Sequence, residues 1–565
     1  MECRSGRRRI ASPLFSLCLG ECSGRATLLR VTRAICFLLV VAGAMCAETP
    51  GDKLFQSGKF SEAAEAYREV LKASPADAAA QAGLMRALVR LDKADEAYEV
   101  GTKAVAAHPE SGAVLSAMGE VHFRRAEMPE AEQSFQAAYK ADHNEAHALL
   151  GLAELYRAYS LYGKAYKLLN AAHEIAPEDV EIRRAWIGQL PRKERLAALE
   201  AYLAGPHPDD AEETEWMQSS VDYLKATADQ PVHACRLVSK VDRTETKLEL
   251  LRSDPRRVSA VGLTVNMNGR NAKLELDTGA GGIIIGSGLA EAAGLKRVSG
   301  SKYGGIGDKG PQGGYFAVVD HLKIGELEFQ DCVVEVSDRR NLIDRDGLIG
   351  ANVFASYLID IDIPGTKLKL SPLPKRPEET QVETSLNSGG ESQSEAKEAT
   401  DGEAASKAAV KKLILPKDRY VAPEMESWSR IFHFGHMLLI STFANERPKP
   451  MLFLIDTGAF GNTLSLAAAK QVGKPYINDR IRVRGLNGYV KNVWSIDDVK
   501  LRFGHFAAPK QGYVALDMER ISHRTGTEVS GTLGFEMLKI LEVKIDYRDG
   551  LVDFAYDPKR VSPMW

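Results

Sequence analysis

Two four-residue signatures recur identically in this 565-residue chain, Asp277-Thr278-Gly279-Ala280 and Asp456-Thr457-Gly458-Ala459. A single Asp-Thr-Gly is ordinary turn chemistry, because Asp and Gly both favour turns. Two copies offer more. Carboxyl groups held about 3 Å apart cannot both ionise, so they share one proton and titrate as a pair. The ionised member can take a proton from a bound water while the protonated member donates a hydrogen bond to a carbonyl. That is acid–base hydrolysis without a covalent intermediate.

The surroundings of the two copies match. Lys273-Leu274-Glu275-Leu276 leads into the first Asp and Met451-Leu452-Phe453-Leu454-Ile455 into the second, each reading as a strand that delivers Asp to a tight turn. Gly347-Leu348-Ile349-Gly350 ends 73 residues after Asp277, and Gly531-Thr532-Leu533-Gly534 ends 78 after Asp456. Twelve residues beyond those last glycines stand Asp362 and Asp546, each opening a turn before a final strand. Between the landmarks lie two glycine-framed tips, Gly304-Gly305-Ile306-Gly307 and Gly485-Leu486-Asn487-Gly488.

These residues resemble the retropepsin-like aspartic peptidases over roughly 255–372 and 430–557. The resemblance implies two all-β lobes that act as an aspartic endopeptidase on protein or peptide substrates, with Asp277 and Asp456 as the catalytic pair and no cofactor or metal. It implies that Thr278 and Thr457 cross-link the two loops, and that Gly279 and Gly458 let backbone and carboxylates lie in one plane. Residues 304–307 and 485–488 become flaps over the substrate. The second departs from the retroviral form, which leaves open whether both close alike. Ala280 and Ala459 stand where pepsin-like enzymes commonly carry a hydroxyl, so the pair is expected to hold its shared proton to higher pH.

Other chemistries find no support: there is no Gly-x-Ser-x-Gly elbow, no His-Glu-x-x-His and no Walker loop. His433, His436, His505 and His523 read as surface or core residues rather than ligands. A formal net charge of −3 provides no global field for nucleic acid.

Ahead of the lobes the chain shows a period of 34 residues. Pro75, Pro109 and Pro177 fall on it, with His143 in the missing slot, and Ala63, Ala97, Ala131 and Ala165 stand twelve residues before each. Tyr67, Phe135 and Leu169 recur at a third phase, Gly58-Lys59-Phe60 marks a turn between helices, and Gly119 a close helix contact. A strict period means stacked units, and these resemble the tetratricopeptide repeat, an all-α solenoid. Such solenoids offer a protein-binding surface, so the repeats are expected to recruit a partner or substrate rather than to build the site.

The resulting organisation is a signal peptide at 1–47, repeats at 48–190, a helical connector at 191–229, lobes at 230–373 and 413–560, and a disordered linker at 374–412, where Glu, Ser, Ala, Lys and Gly dominate. The leader joins clustered arginines to the short apolar run 34–47, too short for a membrane span. It places the mature chain outside the cytoplasm, periplasmic or extracellular, with no stable membrane span. Of seven cysteines only Cys235 and Cys332 follow the leader, as one disulfide or two thiols. Two alternatives stay open: lobes that pair between chains, and a non-catalytic exported scaffold with decayed lobes.

Overall fold

The computed structural model describes residues 49–228, 235–254, 256–307, 309–340, 342, 345–377 and 416–560. The leader, and the linker beyond residue 377, lie outside the described residues.

Among the described residues the chain opens with eleven helices: α1 (Pro50–Gln56), α2 (Phe60–Ala73), α3 (Ala78–Arg90), α4 (Ala94–Ala107), α5 (Gly112–Arg124), α6 (Met128–Ala141), α7 (Ala146–Ala158), α8 (Tyr162–Ile175), α9 (Val180–Ile187), α10 (Arg192–Ala204) and α11 (Ala211–Ala226). The period is visible in the backbone. Gly58, Asp92, Ala126 and Ser160, each 34 residues from the last, occupy left-handed turns with φ of 75°, 57°, 59° and 59°. Ala63, Ala97, Ala131 and Ala165 are buried where helices cross. The rings of Tyr67 and Phe135 fill the space that side chains on Gly83 and Gly151 would need, a close approach only glycine permits. Asp77, Ser111 and Asp179 cap α3, α5 and α9.

The β-rich part holds two copies of one plan. In the first, the strand Arg270–Asp277 pairs in parallel with Gly347–Gly350, which pairs antiparallel with Ile283–Gly286. In the second, Met451–Ile455 pairs in parallel with Gly531–Leu533, which pairs antiparallel with Thr463–Ser465. The register sets Gly350 opposite Asp277. A side chain on Gly350 or Gly534 would overlap the carbonyl of Ala280 or Gly461, which explains the apolar-apolar-glycine landmark in both copies.

One sheet joins the lobes. Tyr357–Asp362 pairs antiparallel with Leu541–Asp546, aligning Ile359 with Ile545 and Ile361 with Val543, all four fully buried. Lys367–Pro372 and Thr244–Lys247 extend it on the first lobe's side, Leu551–Tyr556 and Ser429–Phe434 on the second's. The two lobes therefore meet within a single chain. At the strand ends Asp362 Oδ1 accepts the Gly365 N–H at 2.9 Å and Asp546 Oδ1 accepts the Asp549 N–H at 3.0 Å, the turn-opening role that their spacing suggested.

Cys235 and Cys332 form a disulfide that ties the start of the first lobe to a central strand of it. Composition had placed residues 374–377 in the linker, but they pack on the second lobe: buried Arg376 pairs with buried Asp549, and Arg548 donates to the Pro374 carbonyl at 2.7 Å. Composition cannot reveal this, because the contacts join Pro374 and Arg376 to Arg548 and Asp549, more than 170 residues further along the chain.

The solenoid does not stand apart. Phe123, Met128, Phe135, Leu152 and Leu155 share one apolar cluster with Leu439, Leu452, Leu454, Met518 and Val529 of the second lobe. Thr527 Oγ1 donates to the Phe123 carbonyl at 2.6 Å, and the Glu528 N–H donates to Arg124 O at 2.9 Å. The turns of the repeats meet the lobe: Asp92 faces His523, and Ser160 abuts Gly550.

Candidate active site

Each signature turn is held by the opposite lobe. The Thr278 Oγ1 donates to Ile455 O at 2.7 Å and accepts the Thr457 N–H at 2.9 Å. In return Thr457 Oγ1 donates to Leu276 O at 2.7 Å and accepts the Thr278 N–H at 3.0 Å. Both threonines are fully buried, so these bonds form where no water could replace them. Gly279 and Gly458 sit where each loop meets the other lobe's carboxyl: a side-chain carbon on Gly279 would lie 2.8 Å from Asp456 Cγ, and one on Gly458 would overlap Asp277.

The Asp277 and Asp456 carboxyl groups each lie against the other lobe's signature glycine, close enough that each perturbs the other's proton affinity. Their surroundings differ. Asp456 Oδ1 accepts two backbone N–H groups, from Gly458 at 3.0 Å and Ala459 at 2.9 Å. Asp277 Oδ1 accepts one, from Gly279 at 2.8 Å, because the Ala280 N–H turns to the Asp277 main-chain oxygen instead. Burial, then the charge of Asp456, then that of Glu275, hold the Asp277 proton well above the usual carboxylate range. Burial also raises Asp456, but its two N–H donors and the Asp277 hydroxyl oppose that rise. The geometry favours Asp277 as the protonated partner and Asp456 as the carboxylate.

The two glycine-framed tips, read from the sequence as flaps, touch each other. The Lys309 N–H donates to Asn487 O at 3.1 Å and the Asn487 N–H donates to Ile306 O at 3.0 Å. The tips close differently: the second is a short hairpin pairing Arg484–Gly485 with Gly488–Tyr489, while the first is a longer loop between Tyr303 and Gln312. Gly307, at φ +131°, lies against the Asn487 backbone, Gly485 against the Ile306 carbonyl, and Gly305 against Leu486. Leu486 packs on an apolar group of Ala280, Ile284, Tyr303, Leu342 and Leu348 beside the first Asp loop. Gly304 sits at the outer base of the flap, Gly488 takes a positive φ of 96°, and Asn487 is fully buried.

Two residues packed against the signature loops escaped the sequence reading. His436, expected at the surface or in the core, lies against the Asp277 loop: a side-chain carbon on Gly281 would be 2.8 Å from its Nδ1. Burial, with Arg524 nearby, pushes the imidazole down to about 4, so it is uncharged at neutral pH. The counterpart is Arg257, whose guanidinium stacks 4.0 Å from the Phe460 ring and pairs with Glu536 at 3.5 Å. A signal was present: Arg257 and His436 each stand twenty residues before an Asp, and Gly281 and Phe460 each stand four after one. The other histidines are structural. His433 is buried against Tyr547, His505 bonds to Ser427 O, and His523 pairs with Asp92.

Two groups among the described residues have metal-like composition, His147–Asp179–Glu181 and Asp210–Glu213–His523. Arginines already occupy both, Arg86 on Glu181 and His147 and Arg184 on Glu213, so neither recommends itself as a cation site.

Comparison with known families finds that residues 263–353 and 442–537 match the family described as aspartyl protease, and residues 54–121 a tetratricopeptide repeat family. Among solved structures, one titled "Crystal structure of MamA" is 23% identical, covers 27% of this chain and 93% of its own, and has a TM-score of 0.20. A second, "Crystal structure of MamA protein", is 23% identical over 27% of this chain and 86% of its own, with a TM-score of 0.19. No curated protein matches. Among the described residues no helix is long and apolar enough to cross a membrane.

Proposed function

Because the chain carries two aspartyl protease stretches behind tetratricopeptide repeats, we propose that it is an aspartic endopeptidase with one intramolecular site built from Asp277 and Asp456. The observation that carries this reading is the unequal donation to two neighbouring buried carboxyls, two backbone N–H groups on Asp456 and one on Asp277. Asp456, as carboxylate, takes a proton from a water lying between the pair. Asp277, as acid, donates its proton to the scissile carbonyl oxygen to give a gem-diol, and the C–N bond breaks as Asp456 passes the water's proton to the leaving nitrogen and Asp277 takes a proton back from a gem-diol hydroxyl, which becomes the new carbonyl. Flap closure over the pair excludes bulk water from these transfers.

The reading includes export, supported by the leader's composition and by a disulfide of the kind that persists in oxidising compartments. It includes a protein partner on the repeat surface left uncovered by the second lobe.

The test is hydrolysis of a fluorogenic peptide by the purified chain and by Asp277→Asn and Asp456→Asn. Each substitution is expected to remove activity while leaving peptide binding, and mixing the two variants should restore nothing. Full activity in either variant sinks the single-site proposal. Peptide bound but never cut by the parent chain would favour a scaffold.

A further inference from the structure

The helical region reaches the first flap. Helix α11 lies along the strand Lys296–Tyr303, which climbs to that flap. Glu215 pairs with Lys302 at 3.2 Å, and Tyr223 meets Phe316 on the returning strand edge to face, centroids 5.2 Å apart. Trp216 reaches the flap's base: a side-chain carbon on Gly304 would lie 3.8 Å from its ring and 3.4 Å from an Arg524 guanidinium nitrogen.

The same helix is fastened to the other lobe. Arg520 and Arg524 belong to the second lobe's helix Glu519–Thr525. Arg520 bonds Glu212 at 2.7 Å, and the Arg524 guanidinium lies 5.4 Å from the Trp216 ring centroid. Trp216 therefore stands between the helical region, the base of the first flap and the second lobe. Its indole N–H is buried without a hydrogen-bond partner, so the ring is held there for its faces and not for its donor.

We propose that α11 is a strut for the first flap and that Trp216 is its positioning residue, so that the helical region sets how readily the cleft opens. Among the described residues the tips meet through two backbone hydrogen bonds, close approaches at Gly305, Gly307 and Gly485, the Leu486 contact and the Arg339 hydrogen bond to Leu486 O at 3.3 Å, a local set to which α11 adds a support from outside the cleft. Lifting the first flap away from the second lobe requires α11 to slide past either Lys302 or Arg520. α11 belongs to the helical connector at 191–229 and not to the repeats at 48–190, so the strut adds a role for the connector beside the recruitment expected of the repeats. The proposal rests on the peptidase reading for its kinetic consequence alone.

The experiment is amide hydrogen exchange on the full chain carrying Asp277→Asn, which prevents self-cleavage, compared with the same chain bearing Trp216→Ala or Trp216→Phe. Trp216→Ala is expected to speed exchange at 301–312 and 484–489 by about fivefold or more, with 274–286 and 347–350 unchanged. Trp216→Phe, which keeps an aromatic face, should restore parental rates. Parental flap exchange in Trp216→Ala, or faster exchange throughout both lobes, overturns the strut. In the Asp277 chain, Trp216→Ala should shift KM at least about threefold with kcat less affected. Absence of any cleavage by the parent, with the exchange pattern intact, would count against the peptidase reading and leave the strut standing.

Discussion

Thr278 and Thr457 exchange the same pair of hydrogen bonds, each hydroxyl accepting the other's N–H and donating to the carbonyl that precedes the other's Asp, at distances between 2.7 and 3.0 Å. The lobes are locked at the level of the backbone, and the carboxyl groups on either side inherit that precision.

Thr457→Val keeps the volume and removes the hydroxyl, leaving the Thr278 N–H and the Leu276 carbonyl buried and unpaired. A loss of roughly 2–5 kcal/mol is expected from two such groups, with Thr457→Ser losing far less. Urea unfolding with the midpoint and slope fitted separately measures it. A Val variant as stable as its parent would show that the lobes are held by their shared sheet alone.

Stability should fall as pH rises from about 6.5 to 8, above the range in which buried His433 and His436, each pushed down to about 4, add stability with rising pH. Asp277 is held above its unfolded value, burial pushes Glu275 up to about 7 despite Arg345, and burial does the same to Glu335 despite Ser301. A carboxyl whose folded-state pKa is raised favours folding at low pH, and that contribution is lost as pH rises through the folded value. Glu127 has the opposite sign: burial is outweighed by His122, Arg125 and Lys449, leaving it at about 2, so its contribution fades only below this window. Asp277→Asn should therefore gain at least about 1 kcal/mol at pH 7.5 and little at pH 4. Thermal melts across that range decide it, and equal shifts at both pH values would contradict the assignment.

The pH dependence of kcat/KM follows from the same groups. Activity needs one proton on the pair, so it is lost at high pH when Asp277 ionises and at low pH when Asp456 protonates. Both carboxyls are raised above the ordinary Asp value, which places the bell in weak acid to near neutral, roughly pH 5 to 7. An optimum below about pH 3.5 would mean that the backbone donors outweigh burial.

Gly307→Ala tests flap closure. The residue's φ of +131° belongs to glycine, and a side chain there would overlap the Asn487 backbone. Closure, not folding, bears the strain, so kcat/KM should drop about 10- to 100-fold with the melting temperature nearly unchanged. Unaltered kinetics would place the substrate elsewhere.

Serine at Cys235 and Cys332 should cost about 2–5 kcal/mol, because the bridge spans 97 residues of sequence. Denaturant unfolding of the double variant, against the parent with and without reductant, reads this directly. A parent indifferent to reductant would leave the bridge without a stabilising role.

Much of the fold is written locally. Asp in the two signature turns, glycine beside each, the apolar-apolar-glycine strands, Asp362 and Asp546 at turn openings, and alanine where helices cross are all positions where the backbone tolerates few residue types. Such demands leave a mark in sequence, and here each was stated twice or four times. Only tertiary structure decided that the lobes share a sheet within one chain, that Asp456 receives one more N–H than Asp277, that His436 and Arg257 lie against the two signature loops, and that α11 runs beside the first flap. Those relations join segments far apart along the chain through ordinary side chains, Trp, Arg, His and Ile, which fit many environments equally well. Which neighbour each one meets is set by long-range packing, and no local rule encodes it.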